Sequence, residues 1–129
     1  MITFVDFETE GLNGPIIEAC AVNEEGKVIK YEKGKFNFES FLKEIVDNGD
    51  VIIFWHNFMP IYLSLYQNKA FNYMKGKFLI FTDFYSIFDG IKQPRYKIQD
   101  ITFTLTGRDH KGNAKQDSLD LWECYNKMK

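Results

Sequence analysis

Phe4-Val5-Asp6-Phe7-Glu8-Thr9-Glu10-Gly11-Leu12 is an apolar run that ends in two carboxylates one residue apart, with a glycine close behind. In a strand, residues i and i+2 project to the same side, so Asp6 and Glu8 leave together from a backbone that Ile2 and Phe4 hold in a buried sheet. Two like charges placed this way repel each other and lose hydration, and a divalent cation relieves both penalties. Donors that are all oxygen suit Mg2+ or Mn2+. The plain alternative for a bare Asp-x-Glu is a solvated acidic strand end, and its surroundings decide between the two.

Downstream, Pro15-Ile16-Ile17-Glu18-Ala19 opens a second apolar run that continues through Cys20-Ala21-Val22. With Asp6-Phe7-Glu8-Thr9 and Gly11-Leu12 before it, this pattern resembles the first motif of the DEDD superfamily of 3′-5′ exonucleases, which includes proofreading subunits and RNase T-like enzymes. The resemblance covers the acids, the glycine, the hydrophobics and the downstream Glu at their offsets. It implies a ribonuclease H-like fold: α/β, with a central mixed five-stranded sheet flanked by helices.

The rest of the chain reads in the matching order. Residues 2–7, 16–23 and 27–32 are predicted strands of a meander, with a turn at Glu24-Glu25-Gly26. A helix over 39–47 carries Phe38, Phe41, Leu42 and Ile45 at helical spacing. The continuous apolar run 51–55 predicts a buried strand, and Pro60 fits the first turn of a helix through Tyr66 that breaks near Asn68. A fifth strand over 78–82, a short helix to 88, a loop over 90–95 and a helix over 96–105 follow. After a polar loop at 106–112, a last helix starts near Asn113, with Ala114, Ser118, Leu121, Trp122, Tyr125 and Met128 on one face.

On that helix, Gly112-Asn113-Ala114-Lys115-Gln116-Asp117 resembles the His-x-Ala-x-x-Asp motif of the family's histidine subclass. The resemblance implies that Asp6, Glu8 and Asp117 are the metal ligands. Asp117 lies one turn from Ala114 and from Leu121, at the edge of the apolar stripe, where a charge needs a partner. The alternative is an acid that simply favours a helix N-terminus. Gly112 stands where the family has its histidine and has no side chain to take a proton. His110, two residues upstream, is the candidate catalytic base, set against an ordinary exposed loop histidine.

The family's middle motif, His-Asn-x-x-Phe-Asp, is matched by His56-Asn57-Phe58-Met59-Pro60-Ile61, so an aliphatic Ile61 replaces the acid that serves a second metal. Leu12, His56 and Asn57 resemble residues that bind the terminal nucleotide. Phe58 or Tyr62 could stack on a base, although core packing is the commoner use of any one aromatic. Arg95, Lys97, Arg108, Lys111 and Lys115 cluster near the site in sequence and suit either a phosphate backbone or a solvated surface.

At 129 residues, 45% of them hydrophobic, the chain is expected to form one exonuclease-like domain over 1–129 and is too apolar for disorder. No apolar run nears the roughly 20 residues that span a bilayer, so a cytoplasmic protein with no membrane partner is expected. Cys20 and Cys124 have no metal-ligand spacing and are expected to be reduced and buried. A net charge of -2 and a pI near 5.7 give no basic surplus for nucleic acid. Metal ions at the phosphate lessen that need. The reading is thus a metal-dependent exonuclease acting on a single-stranded DNA or RNA 3′ end. Alternatives are a catalytically impaired relative that binds nucleic acid or a partner, and a scaffold with no present use for its acids. A homodimer is compatible with either, since family members often pair.

Overall fold

The structure, a computed structural model, describes residues 2–11, 14–46, 51–56, 58–74, 77–83, 85, 97–108 and 112–128. The opening run forms β1 (Ile2–Thr9), whose central residues are buried on both faces. β2 (Ile16–Val22) pairs with it antiparallel, and β3 (Val28–Lys33) pairs antiparallel with β2. After α1 (Phe38–Val46), β4 (Val51–Phe54) joins the other side of β1 in parallel. α2 (Phe58–Tyr66) and α3 (Asn68–Tyr73) then lead to β5 (Phe78–Ile80), parallel to β4. The result is a mixed five-stranded sheet in the order β3-β2-β1-β4-β5, with β1 at its centre. α4 (Ile98–Thr106) and α5 (Ala114–Met128) complete the fold.

The strict alternation of side chains divides the core between the two faces of the sheet. Val5, Phe7, Ala19, Ala21, Ile52 and Phe54 face α1, α2 and α3 in one cluster. There Phe7 meets the rings of Phe38 and Phe54 edge-on, at centroid distances of 5.4 and 6.4 Å. Phe4, Cys20, Val22, Ile53 and Trp55 face the opposite way, onto α4 and α5. α5 lies across β1 and β2 and packs against α4, burying Ala114, Asp117, Ser118, Leu121 and Cys124. Both cysteines are buried free thiols, and burial pushes each up to about 11, well away from reactivity.

Element boundaries differ from the sequence expectation where end effects decide. β1 runs two residues beyond 7, which keeps Asp6 and Glu8 in the same strand. α2 begins at Phe58, so Pro60 sits at its third position, where a missing N–H still costs no helix bond. β5 stops at Ile80, and residues 81–83 are already helical. α4 ends at Thr106 and is capped by Gly107, whose φ of 75° lets its N–H reach Phe103 O at 2.8 Å. The ends expected at Asp47, Phe88 and Tyr96 lie outside the described residues.

The β2–β3 turn is tied to α5. Asn23 Oδ1 accepts the N–H groups of Glu25 and Lys27, both at 3.0 Å, and Trp122 Nε1 donates to Glu24 O at 2.8 Å. Gly26 adopts a φ of 81°, and a Cβ there would meet the Trp122 ring at 2.7 Å. Gly26→Ala is therefore expected to cost about 1–2 kcal/mol from the left-handed backbone alone, more if the indole is displaced. Urea denaturation of the variant beside the parent checks this.

A candidate metal centre beside an aromatic cleft

The pleat of β1 sends Phe4, Asp6 and Glu8 to the α5 side, and the register of α5 sends Asp117 back towards them. Phe4 is sealed in the core, Asp6 is 5% exposed, and Glu8 at the strand end is half-buried. Asp117, 8% exposed, enters from the first turn of α5. One carboxylate oxygen of each of the three lies within 4.8 Å of the others, so the group could hold a metal ion. The three acids picked out in the sequence are brought together.

The electrostatics of the cluster are those of acids crowded together away from water. Asp6 Oδ2 is buried and accepts no hydrogen bond among the described residues. Burial first, then repulsion from Asp117 and Glu8, raises the Asp6 carboxyl well above the ordinary range. Burial and the neighbouring Asp117 push Glu8 up to about 7. A hard cation fits this donor set: it would supply the missing partner for Asp6 and favour the ionised form of all three carboxyls.

The other acids near the site have partners of their own. Glu18, 7% exposed, accepts the Ala114 N–H on Oε1 at 2.7 Å and the Tyr31 hydroxyl on Oε2 at 2.5 Å. Asp120, fully buried, accepts Arg108 Nη2 at 2.6 Å and Gln116 Nε2 at 2.9 Å. Arg108 also meets Glu123 at 2.5 Å. The guanidinium is thus engaged by two carboxylates rather than turned to a phosphate backbone. That network was missed in the sequence, where the i, i+3 pair Asp120 and Glu123 was its only trace. Lys97 and Lys115 are exposed.

Beside Glu8 opens a cleft of about 460 Å3, lined by Phe7, Glu8, Thr9, Gly11, Phe58, Met59 and Tyr62. Its rim is shaped by Gly11, at a φ of 73°, and by Thr9, whose hydroxyl donates to Gly11 O at 2.6 Å. The Tyr62 hydroxyl donates to Gly14 O and so fastens α2 to the loop after β1. Phe58, 56% exposed, stacks on His56 with centroids 5.1 Å apart. His56 Nδ1 accepts the Phe58 N–H at 3.2 Å, which leaves its proton on Nε2. His56 therefore supports the start of α2 and backs the Phe58 ring that lines the cleft. Ile61 is 48% exposed on α2, outside both the cleft and the carboxylate group. Leu12, Asn57 and His110 lie outside the described residues.

Among the described residues no helix is long and apolar enough to cross a membrane. No protein-family model matches this chain, and no curated protein matches it either.

Proposed function

We propose that the chain is a metal-dependent 3′-5′ exonuclease that hydrolyses phosphodiester bonds at single-stranded DNA or RNA 3′ ends. The observation that carries the reading is the convergence of Asp6, Glu8 and Asp117, from β1 and α5, to within 4.8 Å in a largely buried site. The strand order β3-β2-β1-β4-β5, with the acids on the central strand, further supports a ribonuclease H-like fold and kinship with the DEDD exonucleases.

In this reading Asp6, Glu8 and Asp117 would hold Mg2+ or Mn2+, and the chemistry such a cation would supply is Lewis-acid charge stabilisation at the phosphoryl group and activation of water. The chain's own residues bind and orient the strand end. The cleft next to Glu8 gives a nucleobase an apolar wall of Phe58, Met59 and Tyr62, while Leu12, His56 and Asn57 are assigned to the terminal nucleotide. His110 is assigned to proton removal, with His110→Ala expected to slow turnover.

A second reading, a catalytically impaired relative that only binds nucleic acid, is favoured by one feature. Ile61 is an exposed aliphatic side chain where the family carries an acid, so the donors for a second cation are reduced.

The deciding experiment offers 5′-labelled single-stranded DNA and RNA to the protein in Mn2+ and in EDTA. A metal-dependent ladder supports the exonuclease. Intact strands that nonetheless bind with a salt-dependent affinity support the binding module. Absence of both defeats the two readings together. In either case Phe58→Ala should weaken single-strand binding by about tenfold, since a stacked base is worth roughly 1–3 kcal/mol. Fluorescence anisotropy reads it, and unchanged affinity removes Phe58 from the binding surface.

A further inference from the structure

We propose that Tyr31 and Glu18 form a positioning pair that fixes the first turn of α5 and thereby sets the Asp117 carboxylate against Asp6 and Glu8. Its consequence for a cation rests on the metal reading above.

Glu18 is buried on β2, beside the triad but outside it. Its two oxygens are divided between two donors: Ala114 N–H at 2.7 Å and Tyr31 hydroxyl at 2.5 Å. Ala114 is the first residue of α5, and its N–H is one of the four that a helix cannot satisfy internally. A carboxylate at that end also faces the positive pole of the helix dipole. Asp117 follows within one turn, and the hydroxyl of the next residue, Ser118, lies between Ala114 O at 2.8 Å in its own helix and Cys20 O at 3.1 Å on β2. The carboxylate of Asp117 thus leaves α5 between the Glu18–Ala114 bond and the Ser118 hydroxyl facing β2.

Glu18 is also a fourth carboxylate near the cluster, and it adds to the repulsion felt by Asp6 and Glu8. A residue kept at that electrostatic cost and used twice by its neighbours has a positional task. Tyr31 extends the link outward. It sits on the outer strand β3, in register with Cys20, and its hydroxyl holds Glu18 in the rotamer that meets Ala114. Ligand sets tolerate little slack, so a small rotation of α5 takes Asp117 out of reach.

The test is amide hydrogen exchange on the metal-free full chain, together with a Mn2+ titration followed by melting temperature, for Glu18→Ala, Glu18→Gln and Tyr31→Phe. Glu18→Ala should speed exchange at Ala114 and raise the Mn2+ midpoint, each by about 10-fold or more, the usual effect of removing an outer partner of a metal ligand. Glu18→Gln keeps an acceptor for Ala114 and should restore both to within about threefold, while Tyr31→Phe, a mild change on an outer strand, should shift both by about threefold. Exchange and midpoint of Glu18→Ala and Tyr31→Phe within about twofold of the parent overturn the proposal. A parent that ignores Mn2+ while Glu18→Ala still exchanges fast at Ala114 defeats the metal reading alone and leaves the positioning of α5 standing.

Discussion

Asp6→Asn should abolish metal-dependent strand shortening and at the same time raise the melting temperature of the protein in EDTA. Both effects have one cause. Asp6 is 5% exposed, its Oδ2 accepts no hydrogen bond among the described residues, and Asp117 and Glu8 press on it with like charge. Without a cation, such a group is a burden on the folded state. Asparagine keeps the shape, removes the charge and offers an N–H to a neighbouring carboxylate. Relief of about 1 kcal/mol corresponds to a rise of a few degrees in a chain of this size.

The same substitution removes a ligand oxygen at the centre of the cluster. Loss of a preorganised charge-stabilising group commonly lowers turnover by 100-fold or more. The melting temperature in saturating Mn2+, which should climb for the parent, should stay flat for Asp6→Asn. A variant that melts lower than the parent in EDTA yet still responds fully to Mn2+ would place the cation elsewhere and make Asp6 an ordinary buried acid. Opposite movement of stability and activity separates a functional acid from a structural one.

The acids were legible because their signal is local. Period-two alternation in β1 fixes that Asp6 and Glu8 share a face, and helical spacing fixes that Asp117 shares an edge with Ala114 and Leu121. The meander of β1, β2 and β3 and the buried strand β4 were legible from the same patterns, whereas the order β3-β2-β1-β4-β5 comes from pairings between strands distant in sequence. The role of Arg108 stayed open between a phosphate backbone and a solvated surface for the converse reason. Its partners Asp120 and Glu123 lie 12 and 15 residues away, and nothing in a list of basic residues says which cation a fold folds back on. His56 was expected at the substrate, and its Nδ1 also accepts the Phe58 N–H at the start of α2, a bond that no pattern in the sequence records. The link from Tyr31 through Glu18 to Ala114 joins three elements by bonds that span 13 and 96 residues, which no local pattern records.

In EDTA, the protein should become less stable as pH rises from about 5 to 8, against the habit of carboxylates. Most acids in a folded chain are favoured in their charged form, so their stabilisation grows with pH. Here the sign reverses. Glu8 sits near 7 in the folded chain against an ordinary 4.5, so between those values the folded state binds more protons than the unfolded state. Stability is then full below the lower value, falls through the interval and is lost above the upper one; Asp6, raised in the same direction, adds to the slope. A rise of that size in a fully buried group would be worth about 3 kcal/mol, and screening of the half-exposed Glu8 leaves about 1–2 kcal/mol, or roughly 5 °C. Mg2+ inverts the logic, because a cation binds the ionised carboxyls and competes with their protons. Its stabilising effect should be small at pH 5.5 and grow towards pH 8, with protons released on binding. Melting curves across that range, with EDTA and with saturating Mg2+, measure the gap directly. A gap that stays constant with pH, or a metal-free protein that gains stability towards pH 8, would mean that the three carboxyls are already ionised and hydrated without a cation, and the metal centre would lose its physical basis.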